Sequence, residues 1–538
     1  MTGPLDLFRF SDGNPATARE LMDIGEFPWT TDPTARFAFF RPIAAATHTL
    51  DYALWPHAPW LMHAQSVAWF GLALVGAALL YRRLLGPTWV AGLALLLYAV
   101  DDTHGMAVGW IANRNAVIAL ALSFPVLLSH HYWRQASFRA GSWAGPVLLA
   151  IALLAGESAI ASLAYLAAYA LHIDRGTWRK RIYSLAPYVL VLLLWRVAYV
   201  KLGYGVSGSG LYIDPAANLV GFLSVLPTRL PFLLVGAFGV PRSDFGQAYE
   251  YISPALVAVM LSYSVAILAI LAVALAPLLR RDPVARFFAT GAVLAAVPIC
   301  AAFVCDRLLL FVGIGAMGLV AKLIASAESL FRRIVATLLG LVHLVLAPPL
   351  LMVRSGFVDY QAFIDLSAAT IPKGPDIATK TVVLVNPPND LFYVYLPAIR
   401  AVRGEPRPQR LRGLANVLTA AEVTRLDDRT LRIRPEGGFL QYGAEMMLRD
   451  RRHPLPTGTS IDVAGMRVTI IDSTADGRPT AAEFRFDRSL EDPLFVWMCW
   501  SRKGYVPWTP PAIGDTAHLP AHGFRRFMLD MEDRLSAG

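Results

Sequence analysis

The sequence predicts a polytopic α-helical membrane protein with a C-terminal soluble α/β or α+β domain. Three observations carry this expectation. The 538 residues are 56% hydrophobic with a mean hydropathy of +0.48, more apolar than a soluble enzyme of this length. Several apolar runs reach the roughly 20 residues that cross a hydrocarbon core of ~30 Å. After Arg354 the composition changes to short β-branched and aromatic runs separated by turn residues. The formal charge of +9 does not point to nucleic acid, because the basic residues cluster between apolar runs, as the positive-inside rule requires. Cys300 and Cys305 lie in an apolar run and Cys499 is remote, which gives neither a disulfide framework nor a zinc spacing.

Residues 1–60 carry Asp12, Glu20, Asp23, Glu26 and Asp32 and have no basic n-region followed by an apolar stretch, so they are not a signal peptide. Residues 37–55 are aromatic and mixed, with Arg41, His48 and Asp51, and read as an amphipathic helix lying at the interface. Arg41-Pro42 marks its start or a kink.

About ten spans follow, at 62–82, 87–101, 115–133, 143–157, 159–173, 183–202, 253–279, 285–305, 307–326 and 334–353. Arg82-Arg83, Arg134 with Arg139, Arg175 to Arg181, Arg280 to Arg286, and Lys322 to Arg333 occupy alternate loops, which are therefore cytoplasmic. Residues 1–60, the 101–114 loop, the turn at Glu157, the 203–252 segment, Asp306-Arg307 and everything after about 354 then face outward. An outward N-terminal segment with nothing apolar before it is hard to export, so an apolar segment of about 20 residues is expected upstream of Met1.

Within 203–252, the apolar piece 219–240 is interrupted by Pro227, Arg229 and Pro231. It reads as re-entrant or surface-lying. In the tail, strands are expected at 380–386, 431–434, 466–471, 482–486 and 494–500, and a helix near 391–402. The expected divisions are an outward segment 1–60, a membrane domain 61–354 and an extracytoplasmic soluble domain 355–538 of ordinary size. No phosphate loop or nucleophile elbow is present in the tail.

The 98–115 stretch, YAVDDTHGMAVGWIANRN, stands between two apolar runs. Ionisable groups at a membrane edge are functional candidates by default. Asp101, Asp102, His104 and Arg114 admit either that reading or a loop that solvates and caps two helix ends.

Phe40-Arg41-Pro42, Leu50-Asp51-Tyr52-Ala53-Leu54-Trp55, Pro59-Trp60, His63, Tyr98-Ala99-Val100, His104, Val108, Trp110 and Arg114 follow one pattern. It resembles the membrane part of the transmembrane and tetratricopeptide-repeat O-mannosyltransferases and their bacterial relatives, of the GT-C glycosyltransferase superfamily. Phe10-Ser11-Asp12-Gly13 is similar to the acidic motif of that family's first outward loop, and Gly156-Glu157-Ser158 to its Lys-Glu-Ser segment. The match covers roughly residues 8–200. Asp101-Asp102 stands where eukaryotic members have His-Pro, Met106 where they have Glu, and no ~34-residue repeats follow.

The resemblance implies transfer of a sugar from a polyprenyl-phosphate donor to a glycan, lipid or protein acceptor on the outer face of a bacterial inner membrane. It implies Asp12 as the base, or else a solvated turn aspartate. Asp101 and Asp102 are a second acid pair, a divalent-cation site, or helix-end loop residues. His104 bonds phosphate or sugar, or is structural. Arg41 and Arg114 contact phosphate, or snorkel, or pair with a carboxylate. Glu157 faces the cavity or caps a helix. Asp12, Asp101, Asp102, His104 and Arg114 are expected to converge on one outward cavity. Two other classes remain open: a transporter or flippase, which predicts midplane charges and inverted repeats, and a non-catalytic GT-C-like scaffold.

Overall fold

The computed structural model describes residues 3–239, 242–244, 254–356, 365, 367–388, 390–416, 419–501 and 504–521. The chain divides into two compact units, one of residues 1–10, 38–205 and 213–358, the other of residues 11–37, 206–212 and 359–538.

The first unit is helical. Six of its helices are long and apolar enough to cross a membrane: Pro59–Leu85, Ile111–Arg134, Trp178–Lys201, Leu219–Phe238, Pro254–Arg281 and Leu330–Gly356. Shorter apolar helices, Trp89–Ala99, Gly141–Ala155, Pro283–Ile299 and Leu310–Ser326, run among them. The unit is an integral membrane domain, as the hydropathy pattern predicts.

Leu310–Ser326 lies at its centre, with almost every residue buried. Its sequence, LFVGIGAMGLV, explains this position. A Cβ at Gly315 would meet the Phe288 carbonyl at 2.3 Å and one at Gly318 would meet the Phe288 ring at 2.8 Å, so glycine is what lets the neighbouring helix approach. Three buried tyrosines from three helices donate to its first five residues: Tyr98 to the Leu310 carbonyl (2.8 Å), Tyr165 to that of Phe311 (2.6 Å) and Tyr81 to that of Ile314 (2.7 Å). A buried hydroxyl needs a partner, and each tyrosine thereby fixes its own helix against the centre.

Pro227 and Pro231 do not break Leu219–Phe238, which is one continuous helix. The chain before it, its middle and the chain after it all bond to one stretch of chain. Ile213 N–H reaches the Ala301 carbonyl (2.8 Å), Arg229 reaches those of Cys300 (2.9 Å) and Ala302 (2.8 Å), and Ser243 N–H reaches Asp306 (2.7 Å). Both flanks and the middle of the segment thus bond to the 300–306 turn, and where the prolines and Arg229 predicted an interrupted piece the helix is long and apolar enough to cross a membrane. The part of 203–252 beyond Asp244 lies outside the described residues.

The second unit has a six-stranded antiparallel sheet, in the order Thr516–Leu519, Ala421–Arg425, Thr430–Pro435, Pro479–Phe486, Met466–Ser473, Ser460–Val463. A four-stranded sheet runs Gly504–Pro507, Phe495–Ser501, Thr381–Leu384, Arg410–Gly413, with Thr381–Leu384 parallel to both neighbours. Thr381–Leu384 is buried along its whole length, as a parallel strand covered on both faces must be.

Residues 11–37 fold into this unit. Asn14 caps the helix Pro15–Ile24, and Gly25 ends it at φ 89°. A side chain at Gly25 would lie 1.8 Å from the Leu411 carbonyl. Arg412 donates to the carbonyls of Met22 (3.2 Å) and Asp23 (2.6 Å), and the Trp29 indole N–H to that of Leu414 (3.0 Å).

Two predictions follow from burial. Arg114 and Asp51 are both fully buried and paired at 2.5 Å. Asp51→Asn should cost about 3–5 kcal/mol by leaving the guanidinium uncompensated, read as a lower unfolding temperature of the protein in detergent micelles. In the second unit, burial and the Asp390 carboxyl hold Glu445 up at about 8 despite the Gln441 N–H it accepts. The folded state therefore holds a proton that the unfolded state releases above its ordinary value, so this group's contribution falls as pH rises from ~4.5 to ~8. Glu445→Gln should flatten that part of the melting-temperature profile and gain most at pH 8.

Candidate active site

The loop that the sequence singles out is buried. Thr103 N–H donates to Asp101 Oδ1 (2.9 Å), an Asx turn that starts the short helix His104–Gly109. Asp101 Oδ2 lies 3.6 Å from His343 Nδ1. The His104 ring sits edge-on to Tyr98 (4.6 Å) and Phe70 (5.3 Å). Burial holds this imidazole below its usual range, and so neutral. Gly105 and Gly109 bring the helix against Arg354 and Ser355, where a Cβ would meet backbone or side-chain atoms at 2.9 and 2.2 Å.

Asp102 belongs to an ion-pair cluster. Its carboxylate takes Arg242 on one oxygen and Arg354 Nη1 (3.1 Å) on the other. Arg354 also reaches Asp306 Oδ2 (2.6 Å) and Asp244. Asp306 accepts the Ser243 N–H (2.7 Å) and hydroxyl, and its own N–H donates to Asp244 (2.8 Å). Two guanidiniums thus face three carboxylates. Burial and the adjacent Asp244 push Asp306 up to about 6, against the pull of Arg354. Burial likewise raises Asp102, partly offset by Arg242.

Arg354 reaches the cluster from the last long helix, which changes from α to π geometry over Val342–Leu346. His343, on that π turn, donates from Nε2 to the Phe238 carbonyl (3.1 Å). Nearby, Arg307 bonds Asn113 Oδ1 (2.9 Å) and lies over the Trp110 ring (5.1 Å).

Arg41 and Glu157 form a separate pair at 2.7 Å, with side chains 18% and 23% exposed. Tyr199 donates to the other Glu157 oxygen (3.2 Å), and the Arg41 guanidinium lies over the Phe39 (4.2 Å) and Phe8 (5.1 Å) rings. Only Nε of Arg41 is used; its two terminal amino groups make no hydrogen bond among the described residues.

Arg114 contrasts with this. Nε donates to Ser66 (2.9 Å), Nη1 to Asp51 (2.5 Å) and Gln65, and Nη2 to the Met62 carbonyl (2.6 Å). Its donors are consumed by the protein, in the carboxylate pairing that was one of its three readings.

Asp12 belongs to the second unit. One oxygen accepts Asn14 N–H (2.8 Å) in a turn, and its backbone carbonyl accepts Arg36 Nε (3.2 Å). The structure therefore groups Asp101, Asp102 and His104, pairs Arg41 with Glu157, and pairs Arg114 with Asp51. Among the described residues no three His, Cys, Asp or Glu side chains are placed to hold a metal ion. Sequence reasoning missed Asp51, Arg242, Asp244, His343 and Arg354 as partners. The Asp51 signal was available, because it lies in the 50–55 motif of the resemblance and in the expected amphipathic helix, with no role assigned to it.

Arg354→Ala should destabilise the membrane unit by about 3–5 kcal/mol, since it leaves buried carboxylates unpaired. Arg354→Lys should recover little, because an ammonium is a point charge that cannot reproduce the guanidinium fork. Thermal unfolding in micelles measures both.

No protein-family model and no curated protein matches the chain. Similar solved structures include two of ArnT from Cupriavidus metallidurans. The crystal structure bound to undecaprenyl phosphate is 15% identical, with 77% of this chain and 84% of that one covered and a TM-score of 0.35. The apo crystal structure is 13% identical, with 77% and 83% covered and a TM-score of 0.34.

Proposed function

We propose that the protein is a membrane glycosyltransferase that moves a sugar from a polyprenyl-phosphate donor to an acceptor on the outer face of the membrane. The observation that carries this reading is the Arg41–Glu157 pair. Residues from two motifs of the resemblance, 116 positions apart, meet at 2.7 Å. Glu157 and Tyr199 orient the guanidinium while its terminal fork stays uncommitted. An Arg fork of that kind suits bidentate contact with a phosphate oxygen pair.

The chemistry then divides as follows. The acceptor hydroxyl attacks the anomeric carbon, the bond from that carbon to the phosphate oxygen breaks, and the sugar is transferred. Asp12 takes the hydroxyl proton. Its carboxylate accepts a single N–H, and its second oxygen has no protein partner among the described residues. Arg41 stabilises the charge gathering on the departing phosphate. Asp101, Asp102 and His104 act as positioning groups, because they are closed in by protein contacts. The tail after residue 354, on the outer side with the acceptor, serves acceptor binding.

The test is transfer of labelled sugar from a polyprenyl-phosphate donor by the protein in proteoliposomes. Asp12→Asn should lower the rate by about 10²-fold or more without changing insertion or melting. Arg41→Lys should lower it while leaving the Glu157 contact. Near-normal transfer by a well-folded Asp12→Asn protein would rule out the base assignment.

A further inference from the structure

On the basic side of the membrane unit, four helix ends surround a cleft of about 410 Å³, within the range of small-ligand sites. Its polar wall is Arg83, His131, Tyr132, Gln135 and Ser137, and aliphatic groups including Ile173 close the other side. Arg83 and Tyr132 come from the last turns of Pro59–Leu85 and Arg114–Arg134, helices long and apolar enough to span the bilayer. The cleft therefore opens where a lipid headgroup lies.

No carboxylate lines it. Arg83 Nε donates to the Tyr132 hydroxyl (2.6 Å), and its guanidinium lies over that ring at 4.9 Å. It makes no ion pair among the described residues. Two arginines from the same helix ends are committed: Arg134 to Asp174 through two bonds, 2.6 and 3.2 Å, and Arg286 to the carbonyls of Leu279 and Arg280. The acids in the basic loops are Asp174, Asp282 and Glu328. Asp174 is taken by Arg134 and Asp282 by Lys322. Arg83 is thus a held, exposed cation with hydroxyl, amide and imidazole groups beside it, on a face with few free acids. That combination recognises a phosphate whose ester chain continues along an apolar wall.

We propose that this cleft binds the phosphate headgroup of an anionic phospholipid. The inference is independent of the transferase reading, because neither Arg83 nor Tyr132 is part of the proposed sugar-transfer machinery.

The full chain, delipidated in detergent, is mixed with labelled phosphatidylglycerol or phosphatidylcholine, and retained lipid is counted. Phosphatidylglycerol should be retained at least tenfold better. Arg83→Gln should remove that preference, and Tyr132→Phe should weaken it severalfold by releasing Arg83. Arg139→Gln, which removes an exposed charge outside the cleft on the same face, should change nothing. Equal retention by Arg83→Gln, or an equal loss in Arg139→Gln, would overturn the site. Binding of inorganic phosphate with no preference for the lipid would overturn the lipid assignment. Unchanged elution and melting of Arg83→Gln, expected for an exposed side chain, separate these outcomes from misfolding.

Discussion

The charge on Arg354 is neutralised by Asp102, Asp244 and Asp306, which come from three separate stretches of chain. Withdrawing such groups from water is costly unless they meet one another with good geometry. That requirement fixes the end of the last long helix to the 101–110 loop and to the turns at 243–244 and 306. The three tyrosine hydroxyls bonded to the N-terminal part of Leu310–Ser326 do the equivalent work with neutral groups. Polar atoms thus determine where apolar helices sit, in a medium where apolar contact alone discriminates weakly between arrangements.

One residue type is used in three ways, distinguished by how many of its donors the protein consumes. Arg114 spends its donors on five partners and is structural. Arg354 spends its terminal groups on carboxylates and acts as a clasp. Arg41 spends only Nε and presents the rest. These roles are not separable from sequence, where each is an arginine beside an apolar run.

Much of the architecture was legible. Hydropathy and the placement of basic residues located the helices to within a few positions, and the expected strands at 431–434, 466–471, 482–486 and 494–500 are all present with ends shifted by a few residues. The strands Arg410–Gly413, Ala421–Arg425, Ser460–Val463, Gly504–Pro507 and Thr516–Leu519 were not expected, because these short runs mix glycine, proline, alanine or charged residues with at most one or two β-branched or aromatic ones. The association of 11–37 with the tail was also illegible. It rests on Arg412, Trp29 and the space at Gly25, contacts between residues almost 400 positions apart. For the candidate site, local spacing brought out Asp101, Asp102 and His104 as a group. Their partners Arg242, His343 and Arg354 come from distant parts of the chain and carry no local signature.

The π turn at Val342–Leu346 gives the last long helix an unusual dependence on length. Each residue turns an α-helix by about 100°, and a π turn accommodates one more residue than the α ladder would. The final stretch, Ala347–Gly356, is aimed by that extra residue. A homologue that lost a single position here would keep an apolar helix of nearly the same hydropathy and still reach across the bilayer, yet Arg354 would point away from Asp102 and Asp306. Aliphatic exchanges within the helix are therefore cheap, whereas a one-residue deletion is severe, an asymmetry between substitution and indel that no hydropathy profile records.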